Sequence, residues 1–177
     1  MWSFKTAPAL LCGALITLAG CSVEPLNAAR SDSALVAGTE AASTAQVLRT
    51  ITVNNVTSRP AQQVRNALLF ALNGGNPVEG GDYSISLVVA KQVRTLSVEI
   101  TAKAATSAQV ELVVSYTLLK NGSSAAVTNG TRRSIASFDR TPQNFANQRA
   151  ERDAVNRAAK DVAQQIRLAL GQALAAQ

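Results

Sequence analysis

Few residues in this chain are equipped for covalent chemistry. Cysteines stand at positions 12 and 21 of 177 residues, and histidine does not occur. The commonest general base and the commonest metal ligand are therefore both missing. The carboxylates do not take their place. Glu79 with Asp82, and Glu151 with Asp153, are close in sequence but fall in stretches that read as a turn and a helix surface, where charge is normally solvated. No nucleophile elbow, phosphate-cradling glycine loop or metal-ligand spacing is present in the sequence. A hydrolase built on this chain would need Ser/Lys or carboxylate chemistry, and no such cluster is visible. Cys21 is different, because it stands directly behind a short apolar run, "LLCGALITLAGC".

The residues around that run explain the placement. Met1 to Lys5 carries one positive charge and no acid, and an apolar segment follows from about Ala7 to Ala19. This is the layout of an export signal. It is shorter than the roughly 20 apolar residues a membrane-spanning helix needs, so removal is expected rather than persistence as a span. Leu18, Ala19 and Gly20 before Cys21 resemble the lipobox of bacterial lipoproteins. The resemblance implies a diacylglyceryl group on the Cys21 sulfur, cleavage immediately before it and acylation of the new amino terminus. An ordinary signal that happens to contain a cysteine is the alternative. Cys12 lies inside the segment that would be cut away, which leaves no thiol for a disulfide, metal or nucleophile. The organisation expected is a signal peptide over residues 1–20, a lipidated N-terminus and flexible tether over 21–44, and a single domain over 45–177, with no cofactor beyond the lipid on Cys21.

The chain is basic, with 17 Lys and Arg against 11 Asp and Glu. Such an excess suits nucleic acid, an anionic membrane surface or an acidic ligand. Export behind a lipid anchor argues against nucleic acid and leaves the others.

Elements that could position a binding surface follow from hydrophobic period. "AQVLRTITVNNV" places Val47, Ile51 and Val53 on one side of an extended strand, with Arg49 as the polar exception in that phase. "TSRPAQQVRNALLFALNGG" shifts to a helical period through Ala61, Val64, Leu68, Ala71 and Leu72. Thr57 or Ser58 can cap it, Pro60 suits its first turn and Asn73-Gly74-Gly75 stops it. Tyr83, Ile85, Leu87 and Val89 then alternate, and Leu96, Val98 and Ile100 continue in the opposite phase, which predicts a bulge or break near Lys91 to Thr95. Val110 to Leu118 alternate again, Asn121-Gly122 marks a turn, and "AAVTNGTRRSIASFDR" is a weaker strand. From Pro142 a helical period returns, with Val155, Ala158, Ala159, Val162, Ile166, Ala169, Leu170 and Leu174 in one alanine-rich stripe.

The order β-α-β-β-β-α predicts an α+β fold: a two-layer sandwich, two helices packed on one face of a mixed four- to five-stranded sheet. The other sheet face, carrying Thr50, Ser86, Glu111, Val113, Ser115 and Thr117, is by default a solvated face, and Val113 and Leu119 add weight to the alternative that it docks on another protein.

The order of elements and several local stretches together resemble the lipopolysaccharide-assembly lipoprotein family, LptE. The matching pieces are the lipobox with Pro25-Leu26 after it, "RPAQQVRNAL", "YSISLVV", "ELVVSYTL" and above all "SFDRTPQNFANQRAERDAVNRAAKDVAQQIRLAL". In that closing stretch Phe138, Phe145-Ala146, Ala150 to Ala154 and Arg157-Ala158 answer to the family pattern in order and spacing. Phe138 and Phe145 stand where tyrosine is frequent.

The resemblance implies a non-enzymatic outer-membrane lipoprotein, facing the periplasm, that plugs an LptD-type β-barrel, supports its assembly and assists lipopolysaccharide transport to the cell surface. Ser22 after the cysteine resembles the outer-membrane sorting signal. It also implies basic contacts to lipopolysaccharide phosphates. Lys103 and Arg149 lie near the family's places for them, and Arg94, Arg132 and Arg133 are further candidates on composition. An auxiliary lipoprotein of an ABC-type lipid exporter is the alternative, and it predicts an inner-membrane partner instead.

Overall fold

The computed structural model describes residues 39–76, 78, 80–99 and 104–176. The signal peptide, Cys21, most of the expected tether and Lys103 lie outside the described residues. Seven elements run in the order α1 (Thr39–Arg49), β1 (Ile51–Val53), α2 (Arg59–Asn73), β2 (Tyr83–Glu99), β3 (Ala104–Lys120), β4 (Ala126–Asp139) and α3 (Asn144–Ala175). All belong to one unit, Val36–Gln177. The architecture is the expected α+β two-layer sandwich, with one helix more than expected.

The strands form one sheet in the order β1-β2-β3-β4. β1 and β2 are parallel, with Ile51 opposite Tyr83, so the chain between them must cross over, and α2 is that crossover. Its ends are built as its sequence predicts. The Ser58 hydroxyl accepts the Ala61 N–H at 3.3 Å, Pro60 sits in the first turn, and Gly74 closes the helix at φ 77° with its N–H donated to the Phe70 carbonyl at 3.0 Å. A positive φ at that position favours glycine. Leu69, off the main stripe, is buried, while Phe70 is exposed.

β2, β3 and β4 form an antiparallel meander. The phase change in β2 is only partly met: register shifts fall between Thr95 and Val98, just beyond the predicted stretch and within one continuous strand, but Leu96, expected to face the core, is 53% exposed, and Ile100 lies outside the described residues. Every even-numbered residue of β3 from Ala108 to Leu118 is buried against the helices. α3 covers them with Ala154, Val155, Ala158, Ala159, Val162, Ala163, Ile166 and Leu170. Its start lacks a side-chain cap, but Asn147 reaches back to both backbone groups of Thr141, accepting the N–H at 2.8 Å and donating to the carbonyl at 2.7 Å, which holds the turn out of β4.

The N-terminal edge differs from expectation. Residues 39–49, which include the start of the predicted strand, are helical, and the strand is only Ile51–Val53. Arg49, which broke the alternation, is the clue. A helical period instead puts Thr44 and Leu48 on one inner side, and both are buried, with α1 packed on α3 and α2. In so short a window either period fits locally, and packing decides. Thr50 ends the helix, its N–H and hydroxyl both donating to the Val47 carbonyl.

Candidate functional site: the open face of the sheet

Strand alternation sends the odd-numbered residues of β3 to the face the helices do not cover. At its middle is Glu111, 5% exposed although no layer lies over it. In register it lies between Gln92 on β2 and Ile135 on β4. Two arginines reach it on the diagonal, one from each neighbouring strand. Arg94 Nη2 is 3.3 Å from Glu111 Oε2, and Arg133 Nη1 donates to Glu111 Oε1 at 3.2 Å. Each carboxylate oxygen thus faces one guanidinium. Arg94 also donates to Gln92 Oε1 at 3.1 Å.

The guanidiniums themselves stay in solvent, with Arg94 and Arg133 side chains 60% and 67% exposed against 7% for Glu111. The arginine stems roof the carboxylate while their outer N–H donors remain free for another acceptor. The triad carries two positive charges and one negative. Such exposed guanidiniums add little to stability, about 1 kcal/mol or less each.

Apolar side chains interleave with the charges. Val113 lies between Ala90 and Arg133 in its row, and Ser115 lies between Val88 and Thr131. Val88 is 73% and Ile135 52% exposed. Short polar groups complete the surface, including a 3.0 Å contact between the Ser115 and Thr131 hydroxyls.

The five basic candidates are therefore not one cluster. Arg94 and Arg133 meet at Glu111. Arg132 lies on the opposite face, 5.8 Å from the centroid of the Tyr116 ring. Gly130, opposite Tyr116, leaves room for it, since a Cβ there would come within 2.8 Å of the Tyr116 hydroxyl. Arg149 is exposed on the first part of α3, and Lys103 is not described. Glu151 and Asp153 are not a pair of acids working together: Glu151 bonds Lys91 of β2 at 2.7 Å, and Asp153 bonds Arg157 at 2.8 Å. Phe138 is buried as a packing residue, but Phe145 is 83% exposed, so a packing role does not extend to it.

Glu111 is the residue that sequence reading placed on this face without seeing its role. The available signal was a lone acid inside the apolar run "QVELVVSY". Recognising its partners requires the register of both hairpins. Among the described residues no group of acids, cysteines or histidines is gathered for a metal, and no helix is long and apolar enough to cross a membrane.

Known proteins agree with the fold. A candidate lipoprotein from Caulobacter crescentus CB15 superposes with a TM-score of 0.63 at 24% identity, over 77% of this chain and 98% of that one. The rare lipoprotein B of Shewanella oneidensis gives a TM-score of 0.50 at 14% identity, over 70% of this chain and 92% of that one. At such identities the likeness is one of fold. Comparison with curated proteins finds no match. The model of the family LptE, described as lipopolysaccharide-assembly, matches residues 48–170, from the end of α1 to the last turns of α3. That span includes every strand, the crossover helix and the open-face triad, and the chain therefore belongs to the lipopolysaccharide-assembly family LptE.

Proposed function

We propose that this protein is a lipid-anchored lipoprotein of the outer membrane, facing the periplasm, that plugs an LptD-type β-barrel, supports its assembly and assists lipopolysaccharide transport to the cell surface. The observation that carries this reading is the family match over residues 48–170. Physical features support it. A barrel lumen is polar, so its plug must be a folded domain with a mixed surface, as the open sheet face is. Acylation of Cys21 on sulfur and nitrogen gives the several chains that stable anchoring requires. An anchored plug also meets its barrel at raised effective concentration. The role is binding and support rather than catalysis, with no cofactor beyond the covalent lipid and no nucleic acid partner. Lys103 and Arg149 are proposed to contact lipopolysaccharide phosphates, for which charged donors are suited.

The test is affinity purification of the full-length protein from envelope membranes, with mass spectrometry of Cys21 and of whatever co-purifies. A large outer-membrane barrel in about equal amount, with acyl chains on Cys21, is the expected result. Recovery of an inner-membrane transporter would instead support the exporter alternative, and an unmodified cysteine would refute the anchor.

A further inference from the structure

We infer that Arg157 and Gln165 of α3 guard the β4 edge of the sheet: they cap its outward backbone carbonyls and so keep a second copy of this chain from adding its own β4 there. The inference depends on neither the barrel nor the lipid anchor.

Backbone direction decides what the edge offers. The Ile85 carbonyl is taken by the Asn54 N–H, so the odd-numbered residues of β2 turn their backbone groups away from β3. The registers are unbroken from Tyr83 to Thr95 and from Ser107 to Leu118, so even-numbered residues of β3 bond to even-numbered residues of β4. Arg133, Ile135 and Ser137 are left pointing their N–H and C=O groups out of the sheet. Such a row is a template for another strand.

β4 forms that edge for 14 residues, and from Thr128 to Asp139 it has neither a proline nor a register shift. Its arginines are engaged on the two faces, Arg132 over Tyr116 and Arg133 on Glu111. In an antiparallel pairing of two β4 edges about Ile135, that exposed side chain would meet its own copy, Arg133 would stand opposite Ser137, and Thr131 opposite Asp139. No like charges would face each other, so the bare edge is fit for self-pairing. The opposite side of the sheet is protected by other means: a β1 of only three residues, Lys91 and Arg94 on the stretch of β2 beyond it, and the register shifts between Thr95 and Val98.

The helix α3 closes β4. Arg157 Nη2 donates to the Ser137 carbonyl at 2.8 Å, and Gln165 Nε2 donates to the Arg133 carbonyl at 3.3 Å. Each donor is itself held by an acid one turn earlier: Asp153 Oδ2 accepts from Arg157 Nε at 2.8 Å, and Asp161 Oδ2 accepts from Gln165 Nε2 at 3.1 Å. The spacings agree, since the helix rises about 12 Å from position 157 to 165 and the strand about 13 Å from 133 to 137. The two side chains therefore engage the edge on either side of Ile135, and an incoming strand must displace both.

The experiment measures self-association of the full-length protein in detergent by sedimentation. Arg157→Met with Gln165→Met removes both donors and keeps side-chain length, and each single change is measured beside the pair, with Arg157→Lys as the conservative variant. Ile135→Cys in each background reports edge-to-edge pairing as a disulfide, because residues opposite one another at the centre of such a pair lie within disulfide reach. The chain without an added cysteine, and Gln164→Cys on the exposed side of α3, are the controls. The double methionine variant should self-associate about tenfold more strongly than wild type, the single ones less so and Arg157→Lys not at all, with disulfides through position 135 and not 164. Wild-type behaviour of all three methionine variants would overturn the inference, as would association whose disulfides form through 164 rather than 135. Strong pairing of the guarded chain through Ile135→Cys would also overturn it, since the edge would then be open despite its guards. Each single variant keeps one guard, so if circular dichroism shows the double variant misfolded, the single variants decide.

Discussion

Leu112 and Val113 are neighbours on β3 and belong to opposite worlds. Leu112 is fully buried under α3, in a layer of aliphatic side chains and alanines, whereas Val113 is half-buried between Ala90 and Arg133 with no helix above it. The covered face is held by volume: many contacts, none specific, close fit imposed by the alanine stripe. The open face has no such layer, and its charged centre, a carboxylate that two exposed arginines shield, adds little to stability. One strand specifies both faces through parity alone, yet errors on them have unequal consequences. On the covered face a lost methyl group leaves a cavity. On the open face it leaves solvent.

Leu112→Ala should therefore have the largest effect, a loss of about 2–5 kcal/mol in a denaturant titration, against less than about 1 kcal/mol for Val113→Ala. Equal losses would mean that the open face is covered in the folded protein. Ala158→Leu tests the close approach of α3 to the sheet and should cost about 1–3 kcal/mol by overpacking, seen as a lowered Tm. Within the triad, Arg94→Ala and Arg133→Ala should each cost about 1 kcal/mol or less. In methionine replacements, which keep the apolar stems over Glu111, the double variant should exceed the sum of the two single ones, because each single change leaves Glu111 one partner and the double change leaves a covered carboxylate with neither arginine. Simple additivity in the double-mutant cycle would show that the arginines do not act together. Lys91→Ala removes the exposed link from β2 to Glu151 of α3 and should change stability least, by about 0.5 kcal/mol, with an effect that fades in high salt.

Much of this was legible in the chain. Alternation assigned the buried residues of β3, and of β2 as far as Leu87, correctly, because one side of a strand must be apolar when a helix layer lies on it, whereas Leu96, expected to face the core, is 53% exposed. The helical stripe from Val155 to Leu174 and the capped ends of α2 were equally plain, since caps and periods are local. Residues 39–49 were not legible in the same way. Their apolar spacing serves either a strand or a helix, and α1 exists in its packing against α3 and α2 rather than in a strong local preference.

Sequence alone was enough for most core-facing residues of the long strands and of the last two helices, for the turns and for the family resemblance, because these depend on short-range period and turn chemistry. Only the tertiary structure decided that Arg94, Glu111 and Arg133 form one cluster while Arg132 lies on the other side over Tyr116. Seventeen positions separate Arg94 from Glu111 and twenty-two separate Glu111 from Arg133. Their meeting depends on the register of two hairpins, and a shift of one residue in either would turn one arginine to the opposite face.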